Sequence, residues 1–228
     1  MPKAAMIFAA GFGTRMRPLT LHTPKPMVEI GGQPMINYAI QNAREAGAEK
    51  IVSNLHYLHK VIEPHLVDMG VQTVHEHPDI LDTGGGLRNA LPFLGSGPVW
   101  TLNPDAVWQG PNPLKFASDR WDPDKMDALL VCLEPAHARG TNSVGDFEIG
   151  PSGRISRGAG AIYAGVQIVK TDSLAVIPEN AFSLNVLWDR LIANGRCYAC
   201  LYPGQWCDVG HPEGIPLAES LLIESMND

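Results

Sequence analysis

The chain of 228 residues has the length of one large α/β domain. Its 17 basic and 24 acidic residues give a net charge of −7, which argues against a nucleic-acid-binding surface and against docking on an anionic membrane. No segment approaches the roughly 20 apolar residues of a transmembrane helix, and the first residues make a poor signal peptide. We therefore expect a cytoplasmic protein without a nucleic-acid or membrane partner, and its oligomeric state stays open.

Short apolar runs alternate with helical patterns through the first two-thirds of the sequence. The first run, AAMIFAA, is continuously apolar and predicts a fully buried strand. A helix is predicted over MINYAIQNAREAG, because Pro34 suits a helix start and Gly47 suits a helix end. Further strands are predicted at KIVSNL, VQTVHE, PVWTLN and DALLVCLE. Strands and helices that alternate at this spacing predict βαβ units and an α/β fold with a doubly wound, Rossmann-like, mostly parallel sheet.

After Glu134 the pattern changes to short strands that are joined by glycine turns. These strands are GDFEIG, GRISRG and AIYAGVQIVK. They predict a small antiparallel addition that packs on the parallel sheet. Helical patterns over SLNVLWDRLIANG and HPEGIPLAESLLIESM then close the fold. We expect a single domain over residues 1–228, with a functional division near residue 134.

A basic loop follows the first strand, at the place where open parallel sheets bind their ligands. Gly11 and Gly13 let the backbone approach an anion closely, and Arg15 adds a charge whose geometry matches phosphate oxygens. Lys25 stands between two prolines, which stiffen the segment that carries its ammonium group. The loop matches neither the GxxxxGK[ST] motif nor GxGxxG, because Met16 takes the place of the last glycine. The sequence therefore predicts a phosphate-binding loop of another kind.

The full string AAGFGTRMRPLTLHTPKPMVEIGGQPMINYAI closely resembles the signature of the sugar-1-phosphate nucleotidylyltransferases. The likeness continues through DTGGGLRNALPFLG, LNPDAVW, GDFEI, AIYAGVQIV and QWCDVGHPEGIPLAESLL. Within that family, the compact length and the TGGG and WxDVG motifs are most similar to the N-acetylmuramate-1-phosphate uridylyltransferases of bacterial cell-wall recycling. The resemblance implies a nucleotide-diphospho-sugar transferase-like fold. It also implies transfer of a nucleotidyl group from a nucleoside triphosphate, expected to be UTP, to a sugar 1-phosphate, with release of pyrophosphate.

The resemblance also assigns roles to individual residues. The catalytic residues would be Arg15, which would hold the departing pyrophosphate, and Lys25, which would bridge the reacting phosphates. Mg²⁺ would be the cofactor, held by Asp105 and Asp208. The nucleotide-binding residues would all precede residue 134 and would be Ala9, Ala10, Gly11, Gly13, Thr14, Thr83 and Gly84. The sugar-binding residues would be Asn103, Gly145, Asp146 and Gly165.

Two departures from the family pattern leave the substrate open. Pro104 stands where glycine usually precedes the metal-binding aspartate, and proline cannot donate a backbone N–H. The Glu-Lys pair that often precedes the sugar-pocket strand is missing, and Arg157 is the candidate for the missing cation. Guanylyl transfer to mannose 1-phosphate and cytidylyl transfer to phosphocholine therefore remain alternatives. A non-catalytic regulator that binds nucleotide or sugar phosphate is an alternative of another class.

Two other groups of potential metal ligands are expected to be structural. Cys197 and Cys200 have CxxC spacing, but a strand directs them to opposite faces. His75 and His77 would share one face of their strand, and Glu76 would lie on the other. We expect buried thiols at the first place and no metal at either.

Overall fold

The computed structural model describes residues 1–226. The strands are β1 Ala4–Phe8, β2 Glu29–Ile30, β3 Gln33–Pro34, β4 Lys50–Leu55, β5 Gln72–His75, β6 Val99–Leu102, β7 Ala106–Gln109, β8 Ala128–Leu133, β9 Ala138–Arg139, β10 Phe147–Ile149, β11 Ile155–Arg157, β12 Ile162–Val169, β13 Cys197–Leu201 and β14 Gln205–Asp208. The helices are α1 Met35–Glu45, α2 His59–Asp68, α3 Asp82–Leu94, α4 Pro113–Ser118, α5 Leu184–Ala193 and α6 Gly214–Met226. No helix within the described range combines the length and the apolar character that crossing a membrane requires.

The central sheet has seven strands in the order β13-β8-β12-β6-β1-β4-β5. β1 pairs in parallel with β4 and with β6, β4 pairs in parallel with β5, and β8 pairs in parallel with β13. β12 runs antiparallel between β6 and β8. The carboxyl ends of β1, β4 and β6 consequently lie at one edge, which is where open α/β sheets bind ligands.

Apolar side chains cover both faces of the central sheet, because successive residues of a strand point to opposite sides. In β1, Ala4 and Met6 belong to one buried cluster, and Ala5 and Ile7 belong to another. Helices α3 and α5 contribute to the first cluster, and α1, α2 and α4 contribute to the second. This cover on two sides explains the continuously apolar run of the first strand and confirms the predicted doubly wound fold.

A smaller sheet in the order β7-β14-β9 connects the central sheet with α6. β14 pairs antiparallel with β7 in a register that places Asp208 opposite Ala106. The Val209 N–H donates to the Asp105 carbonyl at 2.8 Å. This pairing brings Asp208, near the end of the chain, beside Asp105, which follows β6.

The last third of the chain contributes more to the central sheet than we predicted. The predicted antiparallel addition corresponds to β10 and β11, which form their own two-stranded sheet. The prediction is wrong for β12, which lies inside the central sheet between β6 and β8. The physical reason is that β12 is buried on both faces, and such a strand gains more by pairing within the main sheet than by packing on it.

Candidate active site

The loop between β1 and α1 is held in place by close packing and hydrogen bonds. Gly13 has a φ of 61°, and a Cβ there would stand 2.9 Å from the Lys25 Cβ and 3.1 Å from the Thr20 Cγ2. Only glycine fits this approach without a shift of its neighbours. The Thr20 Oγ1 donates to the Gly13 carbonyl at 2.8 Å, and Met16 is fully buried beneath the loop. The loop therefore presents Lys25 from a fixed position.

This loop forms one wall of a cavity of about 240 Å³ at the carboxyl end of β1, which we call the phosphate cavity. The loop residues that line it include Ala9, Gly11, Gly13, Thr14, Arg15 and Lys25. Pro104, Asp105 and Gly210 lie on its other side. Two cations and a glycine-rich backbone make this cavity suitable for a polyphosphate.

A second cavity, of about 230 Å³, opens between the same loop and the start of α3; we call it the base cavity. Ala10, Gly11 and Thr83 line it. Gly84 is buried behind this wall, where its N–H donates to the Phe182 carbonyl at 2.8 Å. A Cβ on Gly84 would stand 2.4 Å from the Phe182 ring, so the close packing of α3 requires glycine here.

A buried pair that the sequence analysis missed, Asn54 and Glu76, connects the two sides of the base cavity. The Ala9 N–H donates to Asn54 Oδ1 at 2.9 Å, and Asn54 Nδ2 donates to Glu76 Oε1 at 2.7 Å. The other carboxylate oxygen of Glu76 accepts from the Leu81 N–H at 2.7 Å. A Cβ on Gly86 would stand 2.6 Å from Glu76 Oε1, so a glycine makes room for this carboxylate. The pair fixes the spacing between the phosphate-cavity loop and the segment before α3.

Asp105 and Asp208 meet where the cavities join. The Lys25 Nζ lies 2.6 Å from Asp105 Oδ2, in an ion pair that is largely shielded from solvent. Burial, together with the charge of Asp105, raises the pKa of the Asp208 carboxyl to about 6, against the opposing effects of Lys25, Arg15 and His211. A divalent cation would stabilise the ionised form of the Asp208 carboxyl at this place.

The space beside Asp208 is kept open by Gly210. A Cβ at this position would stand 2.7 Å from Asp208 Oδ2 and 3.3 Å from Arg15 Nη1. Any larger residue would push into the gap between the carboxylate and the guanidinium group. Asp105 and Asp208 offer hard oxygen ligands, the kind that Mg²⁺ prefers, so the residues present fit this ion.

A third cavity, of about 480 Å³, lies beyond the carboxylates between β12 and α5; we call it the sugar cavity. Asn103 and Gly165 lie side by side on its wall. The Asn103 N–H donates to the Gly165 carbonyl at 2.8 Å, and a Cβ on Gly165 would stand 2.9 Å from the Asn103 Cβ. Gly165 has a φ of 82° and lies at a bulge in β12, which turns the strand toward Asn103.

Asp146 and Arg157 bring opposite charges to the same sugar cavity. The Asp146 Oδ2 accepts from the Tyr163 N–H at 2.9 Å, which fixes the carboxylate against β12. The adjacent Gly145 has a φ of 122°, so the turn that presents Asp146 favours glycine. The Arg157 Nε donates to Asp189 Oδ1 at 2.8 Å, which holds the guanidinium group beside α5.

Cys197 and Cys200 lie on opposite faces of the central sheet, as their positions in one strand predicted. Each belongs to the buried cluster on its own face. Burial raises the pKa of each of these thiols to about 12, which disfavours the thiolate form that binds metals. The rings of His75 and His77 stack with centroids 5.6 Å apart, while Glu76 is fully buried on the opposite side.

The sequence matches the model of the nucleotidyl transferase family over residues 4–157, about two-thirds of the chain. The chain belongs to this family. It is 36% identical to the N-acetylmuramate alpha-1-phosphate uridylyltransferase of Caulobacter vibrioides, and the match covers 98% of each chain. The protein of the same name from Neisseria meningitidis serogroup B is 33% identical, with 90% of this chain and 92% of that one covered.

A solved structure of a UDP-glucose pyrophosphorylase complexed with UDP-glucose shares the fold. It matches with a TM-score of 0.81 at 19% identity, and the match covers 98% of this chain and 99% of the other. These comparisons confirm the resemblance that the motifs predicted and identify the protein as a nucleotidyltransferase. In this nucleotidyl transferase, Lys25 and Asp105 lie within the segment that matches the family model, and Asp208 reaches the same place through the pairing of β14 with β7.

Proposed function

We propose that the protein transfers a uridylyl group from UTP to N-acetylmuramate 1-phosphate, with release of pyrophosphate. The observation that carries the proposal is the meeting of the three cavities at Asp105, with Asp208 and Lys25 beside it. Membership of the nucleotidyl transferase family supports the reaction class. The choice of these two substrates is supported by two relatives that carry this name and match nine-tenths or more of the chain.

Repulsion and misalignment between phosphate groups form the main barrier to this reaction. The attacking oxygen already belongs to a phosphate, so a general base is unnecessary. Arg15 would bind the β and γ phosphates together with backbone N–H groups of the phosphate-cavity loop. Lys25 would lie between the α phosphate and the incoming sugar phosphate, because its Nζ already points to Asp105 at the junction. Both cations would offset negative charge as the two phosphates approach.

We also propose that Asp105 and Asp208 hold one Mg²⁺ as the cofactor. When bound, this ion would supply positive charge to the oxygens of the α phosphate. The ion pair with the Lys25 ammonium group orients the Asp105 carboxylate toward the junction. Because Gly210 has no side chain, a gap remains between the Asp208 carboxylate on one side and the Arg15 guanidinium group on the other.

The base would bind between the loop and α3, where Ala10 and Thr83 line the cavity. The sugar would bind beside Asn103 and Asp146, with Gly165 giving Asn103 its position. Pro104 lines both the phosphate and the base cavities. Since proline has no N–H, it would contact the nucleotide through its ring and without a backbone hydrogen bond.

A panel of the four nucleoside triphosphates against several sugar 1-phosphates tests the proposal, with pyrophosphate release as the readout. The expected result is the highest kcat/KM for UTP with N-acetylmuramate 1-phosphate, and dependence of turnover on Mg²⁺. If the highest kcat/KM is instead found for guanylyl transfer to mannose 1-phosphate or for cytidylyl transfer to phosphocholine, the proposed substrates are wrong and the proposed reaction class still holds.

A non-catalytic regulator remains the alternative of another class, and the same panel separates it. Such a protein would bind nucleotide or sugar phosphate without releasing pyrophosphate from any pair. The junction argues against this alternative, because a pure binder has little use for two carboxylates that repel anionic ligands. Titration calorimetry with UTP would detect binding where the pyrophosphate assay detects no turnover.

A further inference from the structure

A cluster of imidazole and carboxylate groups lies outside the three cavities, on α2 and on β5 at the edge of the central sheet. We propose that His59, Glu63 and His75 bind one divalent transition-metal ion of the Zn²⁺ class. One nitrogen of each histidine and one oxygen of Glu63 lie within 4.8 Å of one another. A tetrahedral zinc ion with bonds of about 2.1 Å holds its ligand atoms about 3.4 Å apart, so small side-chain rotations complete the site.

The His59 ring distinguishes this cluster from an ordinary surface ion pair. Its Nδ1 atom is enclosed and has no hydrogen-bond partner among residues 1–226. The same atom lies 3.9 Å from Glu63 Oε2, one helical turn further along α2. Enclosed polar atoms in proteins nearly always have a partner, so this nitrogen beside a carboxylate is a candidate ligand for an ion. A metal ion between the two groups would satisfy both.

The other two ligands are already oriented toward each other. The His75 Nε2 lies 2.7 Å from Glu63 Oε1, and the Thr73 Oγ1 donates to that same oxygen at 2.9 Å. The ring of His77 stacks on His75 with an interplanar angle of 6°. Contacts of this kind form the outer shell of many metal sites, where they fix the orientation of the ligands.

The ligand chemistry selects the class of ion. Two imidazoles and one carboxylate suit zinc and similar ions, whereas Mg²⁺ prefers oxygen ligands alone. Three protein ligands leave a fourth position for water. Histidine binds a metal ion through a neutral ring nitrogen, so binding should weaken in acid. A bound ion would tie α2 to β5, which pairs with β4 on one side and ends the sheet on the other.

Zinc titration of the untagged full chain tests the proposal, with Mg²⁺ present at a constant excess in every sample. Glu63→Gln and His75→Ala each remove one ligand, and both positions lie away from the three cavities. His65→Ala is the matched control, because His65 is also on α2 but contacts Asn37 Oδ1 at 2.7 Å instead. Wild type and the control should each bind one more zinc ion than either ligand variant, or bind it at least about tenfold more tightly.

A second readout is the melting temperature, because an ion that binds the folded state raises it. Zinc should raise the melting temperature of the wild type and of the His65 control more than that of either ligand variant. Retained pyrophosphate release in the Glu63 and His75 variants, or an unchanged circular dichroism spectrum, would show that these variants are folded. The proposal is overturned if folded Glu63→Gln and His75→Ala bind zinc with the stoichiometry and affinity of the wild type.

Discussion

The Lys25 Nζ and the Asp105 Oδ2 lie 2.6 Å apart, in an ion pair that joins the loop after β1 to the segment after β6. Both side chains are mostly shielded, with 13% and 24% of their surfaces exposed. Each residue also lines the phosphate cavity. The pair therefore stands at the place where we expect the two reacting phosphates to meet.

Replacing Lys25 with Met should lower kcat by about 10²–10³-fold, because the variant loses a cation aimed at the developing charge. The measurement is steady-state pyrophosphate release with saturating UTP and sugar 1-phosphate. Lys115→Met is the control, since Lys115 is an exposed lysine on α4. A Lys25 variant with the turnover of the control would show that this lysine serves the fold alone.

Arg15→Ala should weaken binding of UTP by about 10- to 100-fold, because its proposed partners are charged phosphate oxygens. Binding of UMP should change much less, since UMP lacks the β and γ phosphates. Dissociation constants from calorimetry give both values. Arg17→Ala is the control, because Arg17 is exposed and lies outside the walls of the phosphate cavity. Equal losses for UTP and UMP in the Arg15 variant would contradict the assigned role.

Glu76→Gln should lower the free energy of unfolding by about 1–3 kcal/mol. Both carboxylate oxygens of Glu76 accept hydrogen bonds from N–H groups, and the amide NH₂ group of glutamine would replace one of these acceptors with a donor. The partners concerned are Asn54 Nδ2 and the Leu81 N–H. Urea denaturation measures this loss. The KM for UTP should also rise, since the same hydrogen bonds position Ala9 and the segment before α3. A variant with wild-type stability would show that the buried network tolerates an amide.

Asp127 gives a prediction on the pH dependence of stability. Hydrogen bonds from Arg196, and then from Lys170, lower the pKa of the Asp127 carboxyl in the folded state. A lowered folded-state pKa means that the stabilisation is present above the unfolded value of about 3.9 and is lost as the pH falls through the folded value. Asp127→Asn should therefore lower the free energy of unfolding by about 1 kcal/mol at pH 7. The value is modest because Asp127, Lys170 and Arg196 are all partly exposed to solvent.

Urea denaturation of wild type and of Asp127→Asn at pH 7 and in acid measures that difference. The difference in stability should begin to shrink as the pH falls below about 3.9, and it should vanish once the pH is below the lowered pKa of the folded-state Asp127 carboxyl. A gap that stays constant into acid would mean that Asp127 stabilises the fold through its shape or its neutral hydrogen bonds.

Local patterns in the sequence predicted much of the lining of the phosphate cavity, because one continuous segment carries Gly11, Gly13, Arg15 and Lys25. The sequence also predicted the opposite orientation of Cys197 and Cys200, since side chains alternate along a strand. The Asn54–Glu76 pair was not predicted. This pair forms because β4 and β5 lie side by side, and neither residue belongs to a sequence motif that predicts a hydrogen bond.

Strand order was the other feature that local patterns could not supply. The sequence AIYAGVQIVK predicts a strand, but its period contains no information on which neighbours it pairs with. The placement of β12 between β6 and β8 is set by contacts between segments far apart in the chain. The same holds for His59 and Glu63, which join His75 because α2 packs beside β5.

Asp208→Asn tests whether Asp105 and Asp208 form a metal-dependent nucleotidyl transfer site. The substitution keeps the shape of a partly buried side chain and removes its charge, so the variant should fold. Pyrophosphate release should be measured over a range of Mg²⁺ concentrations, with UTP and N-acetylmuramate 1-phosphate at saturation. We expect a loss of at least about 100-fold in kcat that added Mg²⁺ does not restore. Turnover of the folded variant close to that of the wild type at saturating Mg²⁺ would contradict it.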